Sequence, residues 1–253
     1  MRVIKLGGRV QDDARLASAL AGAWRDQPRT LCVVHGGGDA ISALQRALGV
    51  TPAFAGGRRV TSDADVEIVR MALSGAANKQ LVARLVAAGV PAVGISGEDG
   101  ALLGAERLAG GSLGRVGAPA RVEARLLAHL LDGGYLPVVS PLGRDVAAAD
   151  GAALNVNGDD AAAAIAAALD AEELLFISDV AGVMVDGAAA SSLDVDDATA
   201  AIAQGVAVGG MAAKLQAGIA ALERGVPRVR IGDLDALCDP GRGTTLVPTR
   251  SLV

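Results

Sequence analysis

The sequence predicts an α/β fold with a mainly parallel central sheet. Two observations carry that reading. Short apolar runs of strand length alternate with stretches of helical periodicity along the chain. The runs ending at Leu6, His35 and Ile95 are each followed by a glycine-bearing turn, where open parallel sheets hold their ligands. The chain is 51% hydrophobic and only 2% aromatic, so the core must be built mostly from Ala, Val, Leu and Ile.

The elements follow in order. Arg2–Leu6 is a strand, with Val3, Ile4 and Leu6 apolar and Lys5 set among them just before Gly7-Gly8. A buried, unpaired ammonium is costly, so Lys5 must reach the strand end or meet an anion. Glycines let the backbone turn sharply and bring bare N–H groups to a ligand. The stretch reads as a phosphate site or, more plainly, as a flexible start with a chance lysine. Leu16 and Leu20 mark a helix over residues 12–24. Leu31–His35 is the second strand and enters Gly36-Gly37-Gly38. Asp39 then caps a helix to about Leu48, with Ile41, Leu44 and Leu48 on one face.

Residues 52–61 are turn-rich and basic, and 63–88 form two helical pieces broken or bent at Gly75. A strand over 92–95 leads into the polar turn 96–100. Residues 101–117 lack helical periodicity and read as short antiparallel strands or a hairpin. A helix over 120–131, the strand Leu136–Ser140 and a loop over 145–151 follow. Then come an Ala-rich helix over 159–169, a strand over 173–178, and helices over 194–204 and 211–224. A strand over 229–231 and a tail strand near Thr244–Val247 close the chain.

Composition narrows the function. The 253 residues suffice for one large domain or two smaller ones. The net charge of −5 argues against nucleic acid or a membrane surface as partner. Cys32 and Cys238 are the only cysteines, which is neither a disulfide framework nor a zinc site. The chain opens directly into a strand with no leader pattern, and no apolar run reaches spanning length. A cytoplasmic protein is expected.

The phosphate chemistry is not that of the common motifs. There is no GxxxxGK[ST] loop, no GxGxxG after His35, no HRD or DFG set and no GxSxG elbow. His35 and His129 are the only histidines, and His129, in mid-helix, reads as a partly exposed helix residue. Phosphoryl transfer asks the protein mainly for positive charge, oriented N–H donors and in-line placement. Lys5 with Gly7-Gly8, and Gly36-Gly37-Gly38, can supply these.

A series of motifs then points to a family. They are KLGG at 5–8, VVHGGG at 33–38, RVT at 59–61, ANK at 77–79, SGEDG at 96–100, LGRVG at 113–117, NVNGD at 155–159, SDVAGV at 178–183 and GGMAAK at 209–214. In this order, nearly end to end, the chain resembles the amino acid kinase family. The resemblance implies an open three-layer αβα sandwich. Residues 1–168 would bind the amino acid and dimerise, and 169–253 would bind ATP. It implies transfer of the ATP γ-phosphate, with Mg2+ carried by the nucleotide, to the side-chain carboxylate of N-acetyl-L-glutamate in arginine biosynthesis. Two other readings stay open: a kinase for glutamate or aminoadipate held on a carrier protein, and a non-catalytic amino-acid sensor.

The resemblance also assigns roles. Lys5 and Lys214 flank the migrating phosphoryl group, Asp159 holds both lysines by charge pairing, and Gly8 donates an N–H group to it. Gly37, Gly38, Arg59, Asn155 and Asn157 bind the substrate, with Arg59 on its α-carboxylate and Asn157 as a support. Gly7, Gly8, Gly36, Ser178, Asp179, Val180, Gly182, Val183, Met184, Val206, Ala207, Val208 and Lys214 bind ATP. Plainer readings exist beside these. Asp159 or Asp160 suits a helix N-terminus, the glycines suit tight βα turns, the asparagines suit polar turns, and Asp179 suits a strand-to-loop cap. Arg58 reads as a solvated charge and Lys79 as structural.

Some features depart from the family. Gly56-Gly57-Arg58 replaces the usual asparagine-glycine pair, and the polar segment 186–192 is short. The arginine-sensing N-terminal helix of hexameric members has no counterpart ahead of Lys5. A homodimer with weak or absent arginine feedback is therefore expected. Docking of a nitrogen-signalling regulator of the PII type stays open.

Overall fold

Eight strands form one sheet in the order Ser192–Asp194, Thr244–Val247, Val229–Gly232, Glu173–Ile177, Arg2–Leu6, Leu31–His35, Leu136–Ser140, Ala92–Ser96. The computed structural model describes residues 1–108, 111–185 and 187–249. Neighbouring strands run parallel except Val229–Gly232 with Thr244–Val247. Runs such as LCVVH and ELLFI are apolar on both faces, as strands covered on both sides must be.

Alternation along the central strands builds two cores. Val3, Val34, Leu174 and Phe176 face the helices Gly158–Ala168 and Gly209–Glu223. Ile4, Leu6, Val33, Leu175 and Ile177 share the other core with Leu16, Leu20 and Trp24 of helix Leu16–Asp26 and with Leu81 and Leu85 of helix Asn78–Ala87. The result is the expected αβα sandwich. Ala161–Ala164 and Ala166 are buried small residues, which lets their helix lie close to both the Arg2–Leu6 strand and the Gly209–Glu223 helix.

Arg2–Leu6 lies at the switch point of the sheet. From it the chain goes to Leu31–His35 on one side, and Glu173–Ile177 comes in on the other. Leu6 pairs with both His35 and Ile177, so the turns after these strands meet at one edge, where such sheets bind ligands.

Several elements differ from the sequence reading. Residues 120–122 belong to the strand Val116–Val122, paired antiparallel to Leu103–Arg107; the helix starts only at Arg125. These strands close a small barrel with Leu142–Asp145 and Ala153–Val156, which flank the expected loop at 145–151. Residues 63–88 do not break at Gly75. Helix Asp63–Val69, opened by a capping box between Ser62 and Asp65, continues through π-helical Arg70–Ala77 into Asn78–Ala87. Residues 9–12 form a 3₁₀ turn, so the first α-helix begins at Leu16. Asp39 does not cap its helix; Gly37 takes the N-cap position and no side-chain cap bond forms. A two-residue hairpin, Phe54–Ala55 with Arg58–Arg59, turns through Gly56 and Gly57 at φ 56° and 74°, a conformation that favours glycine. A second joins Met184–Val185 to Ala188–Ala189. Residues 109–110, inside the expected hairpin, and Asp186, inside the short segment 186–192, lie outside the described residues.

Candidate active site

Lys5 is carried by the central strand, and its neighbour is a protein carboxylate. Its Nζ lies 2.7 Å from Asp159 Oδ1, with both side chains less than a tenth exposed. Asp159 stands in the first turn of Gly158–Ala168, where Asn157 Oδ1 accepts N–H bonds from Asp159 (2.7 Å) and Asp160 (3.3 Å). The cap fixes the turn and the helix N-terminus favours the carboxylate. A Cβ on Gly158 would come within 3.3 Å of Lys5 Cε, so the missing side chain makes room for the lysine.

Lys214 is placed differently from expectation. Its Nζ donates to Gly210 O of its own helix at 3.2 Å, and among the described residues it forms no ion pair. Asp159 therefore holds Lys5 directly and acts on Lys214 only through space. Burial pulls the Lys214 ammonium below its ordinary pKa; the field of Asp159 opposes this and that of Lys5 adds to it.

Two cavities meet at the glycine turn. The first, of about 220 Å³, is lined by Lys5, Gly36, Gly37, Gly38, Arg58, Arg59, Asn155, Asn157 and Asp159, with apolar walls from Ile41, Phe54, Leu73, Val116 and Pro141. It lies below the roughly 300–1,000 Å³ of sites for drug-sized ligands, a size for a small metabolite. The second, of about 290 Å³, is lined by Gly7, Gly8, Arg9, Val10, Gly38, Asp39, Ser178, Asp179 and Lys214. Gly38 borders both. Gly36, expected on the nucleotide side, borders only the first of these two.

Arg59 is buried and held by neutral groups. Nη1 donates to Gln45 Oε1, and Nη2 donates to Gly38 O (2.8 Å) and Ser42 Oγ (2.7 Å). The guanidinium carbon lies 4.8 Å from the centre of the Phe54 ring. No carboxylate touches Arg59 among the described residues, and burial lowers its pKa. Asn155 Nδ2 donates to Thr61 Oγ1 at 3.0 Å. Arg58 is not a solvated charge: its Nη2 lies 2.9 Å from Asp160 Oδ2, and both are part-buried.

The glycines contribute unequally. Gly7 N donates to Ile177 O (2.8 Å) and Gly36 N to Leu6 O (3.1 Å). Sheet pairing runs one residue past each strand, so these two N–H groups are not offered to a ligand as expected. A Cβ on Gly7 would meet Ile177 O at 3.1 Å, and one on Gly37 would meet Leu73 Cδ1 at 2.6 Å. In the second cavity Ser178 Oγ is buried and has no partner among the described residues, which suits a phosphoryl oxygen. Asp179 is exposed and pairs with Arg9 at 2.7 Å. Val180, Gly182, Val183, Met184, Val206, Ala207 and Val208 line neither cavity. Of these, Gly182, Val183 and Ala207 are buried, while Met184, Val206 and Val208 are exposed. Among the described residues no group of three His, Cys, Asp or Glu side chains converges as metal ligands.

Behind the turn lies a buried polar network. His35 Nδ1 contacts Gly36 O at 2.8 Å, and Nε2 contacts Asn78 Nδ2 at 3.0 Å. Asn78 Nδ2 also donates to Val138 O (2.9 Å). The carbonyl needs an Nδ1–H donor and the amide donor needs a bare Nε2, which fixes a neutral tautomer. Burial pushes the His35 pKa down to about 4. Lys79 donates to Gly94 O at 2.6 Å, in keeping with a structural role. His129 is exposed on its helix.

Sequence reasoning missed Ser42, Gln45 and Phe54, and it read Asp160 only as a helix N-terminal carboxylate, not as the partner of Arg58. Ser42 and Gln45 carried a usable signal: with Gly38 they stand at i, i+4 and i+7, so one face of the helix Gly38–Ala47 presents polar groups to Arg59.

The pattern of the amino acid kinase family matches residues 1–233. The acetylglutamate kinase of Chloroflexus aurantiacus is 44% identical over 241 residues, 94% of each chain. That of Geobacillus kaustophilus is 43% identical over 230 residues, 90% of this chain and 88% of its own. The crystal structure of smu.665 from Streptococcus mutans superposes with a TM-score of 0.86 at 29% identity, covering 97% of this chain and 98% of that one.

Proposed function

The chain belongs to the amino acid kinase family, and on that premise we propose that it transfers the γ-phosphoryl group of ATP to the side-chain carboxylate of N-acetyl-L-glutamate, a step of arginine biosynthesis. The observation that carries this reading is the pair of cavities meeting at Gly38. One holds Lys5 and an Arg59 without a carboxylate partner; the other holds Lys214 and the unpartnered Ser178 hydroxyl.

The roles follow from charge. Arg59 takes the α-carboxylate, with Asn155 beside it, and the acceptor carboxylate is directed toward Lys5. ATP brings its phosphates to Gly8, Ser178 and Lys214. A glutamate side chain has an ordinary pKa of about 4.3, so the acceptor is ionised at neutral pH and no general base is required. The new bond joins a carboxylate oxygen to the γ-phosphorus as the bond to the leaving ADP oxygen breaks. Lys5 and Lys214 neutralise charge spread over the transferred group. Asp159 keeps Lys5 aimed, and Asn157 keeps Asp159 in place. Magnesium, held by the phosphates, supplies further charge neutralisation when bound.

The pairing of Arg58 with Asp160 weakens the basic patch on which a carrier-bound substrate would depend. The enzyme is proposed to act in the cytoplasm as a homodimer; light scattering should give twice the 25.0 kDa chain mass. Among the described residues no helix is long and apolar enough to cross a membrane.

Hydroxylamine trapping of the acyl phosphate tests the reaction. N-Acetylglutamate, glutamate, N-acetylaminoadipate and aspartate are compared in parallel. A strong signal with N-acetylglutamate alone is expected. Silence with all four, from folded protein that binds ATP, would point to a carrier-bound substrate or to a sensor.

A further inference from the structure

We propose that Arg58 reads the acyl amide of the substrate and so sets the preference for an N-acylated over a free amino acid. The inference rests on the kinase reading above and concerns a residue that reading does not use.

Three cations line the first cavity, and their surroundings differ. Lys5 is paired with Asp159 and stands at the reacting end. Arg59 is held only by Gln45, Gly38 and Ser42, so its charge is free for a carboxylate. Arg58 is paired through Nη2 to Asp160, while its Nη1 is buried and has no partner among the described residues. A buried donor without an acceptor is costly, and a ligand acceptor in this cavity relieves the cost. Because Asp160 already balances the charge, the fitting partner is a neutral acceptor rather than a second carboxylate. N-Acetylglutamate carries one such group, the amide oxygen. Free glutamate instead offers an α-ammonium, which leaves Nη1 unpartnered and brings like charges together. Both effects act against the wrong substrate.

The placement is built into the fold. Arg58 lies in the hairpin Phe54–Ala55 with Arg58–Arg59, next to the buried Arg59. Asp160 is held in the first turn of its helix by the Asn157 cap.

The test compares kcat and KM for N-acetylglutamate and glutamate in wild type, Arg58→Leu, and the double variant Arg58→Leu/Asp160→Asn, which leaves no orphaned carboxylate. A hydrogen bond from a charged donor corresponds to about a 10- to 100-fold effect. Both variants should raise KM for N-acetylglutamate by about that factor, with a smaller change in kcat. The ratio of kcat/KM for N-acetylglutamate over glutamate should fall by a similar factor. Arg58→Gln, which restores a neutral donor, should recover part of the ratio. Wild type active on N-acetylglutamate with an unchanged ratio in both leucine variants overturns the role of Arg58 alone. Equal losses on both substrates would mark a merely structural residue and also overturn it. Wild type inactive on N-acetylglutamate would overturn the kinase reading as well.

Discussion

At the scale of single residues, Lys214 is the sharpest test. It makes no ion pair among the described residues and its helix does not need its charge, so Lys214→Met should fold normally, with an unchanged melting temperature. It should lose on the order of 10²–10³ in kcat, the usual cost of one transition-state charge stabiliser; near-normal turnover would remove Lys214 from the mechanism. The working form is the ammonium, present below its pKa. Burial lowers that pKa, so kcat should fall on the alkaline side at lower pH than an ordinary lysine would give, and Lys214→Arg should move that limb upward. His35 gives a stability test of opposite sense. Its pKa is about 4 when folded against 6.5 for the free group. Its contribution is complete above pH 6.5 and is lost as pH falls through 4, because the unfolded chain takes up the proton first. The span corresponds to about 3 kcal/mol. Denaturant titrations of His35→Gln should therefore show a flatter loss of stability than wild type between pH 6.5 and 4. The need of Lys5 for an anion was legible in its apolar run. That the resident anion is Asp159 follows only from the family motifs or the fold, since 154 positions separate the two residues. The partner of Arg58, Asp160, lies 102 positions away, and no local pattern announces such a pair.

At the scale of elements, the site depends on how one helix begins. Gly158–Ala168 is opened by Asn157, whose side-chain Oδ1 accepts from the N–H groups of Asp159 and Asp160, the two carboxylates that hold Lys5 and Arg58. Removing the cap should cost about 1 kcal/mol. Asn157→Ala should thus lower the melting temperature by about 2–4 °C while reducing activity by more than that small destabilisation explains. Loss of stability at full activity would confine Asn157 to the helix. Elements with strong apolar patterns were readable: Arg2–Leu6, Leu31–His35 and Leu136–Ser140 carry the residues expected of them. The small barrel was not. Leu142–Asp145 and Ala153–Val156 are short and contain glycine or polar residues, and they are strands because they pair with each other and with Leu103–Arg107 and Val116–Val122. Residues 120–122 were drawn into the following helical pattern, though strand pairing claims them. The segments expected at the nucleotide show the reverse case. In the motif at 178–183, Gly182 and Val183 are buried, and Val183 N donates to Thr244 Oγ1 at 2.8 Å.

At the scale of the whole molecule, the two lysines present one physical problem. Lys5 lines one cavity and Lys214 the other, and the positive charge of Lys5 disfavours that of Lys214. In the proposed reaction both charges act on the same phosphoryl group, in line with the acceptor carboxylate and with water kept out. A γ-phosphoryl group between them turns that repulsion into two attractions. Binding of both substrates should therefore draw the cavities together across Gly38, where neither ligand alone supplies the bridging charge and the acceptor at once. The hairpin of Phe54–Ala55 and Arg58–Arg59 lines the first cavity, with Phe54 exposed, and Arg59 ties that hairpin to the helix Gly38–Ala47. Hydrogen exchange should slow in the hairpin when N-acetylglutamate binds. It should slow further, together with residues 206–211 at the start of the Lys214 helix, when a non-hydrolysable ATP analogue is added. The radius of gyration from small-angle scattering should fall only in the ternary complex. Equal scattering with and without both ligands, and exchange protection that simply adds, would mean that the two lysines already lie within reach of one phosphoryl group and that no closure accompanies transfer.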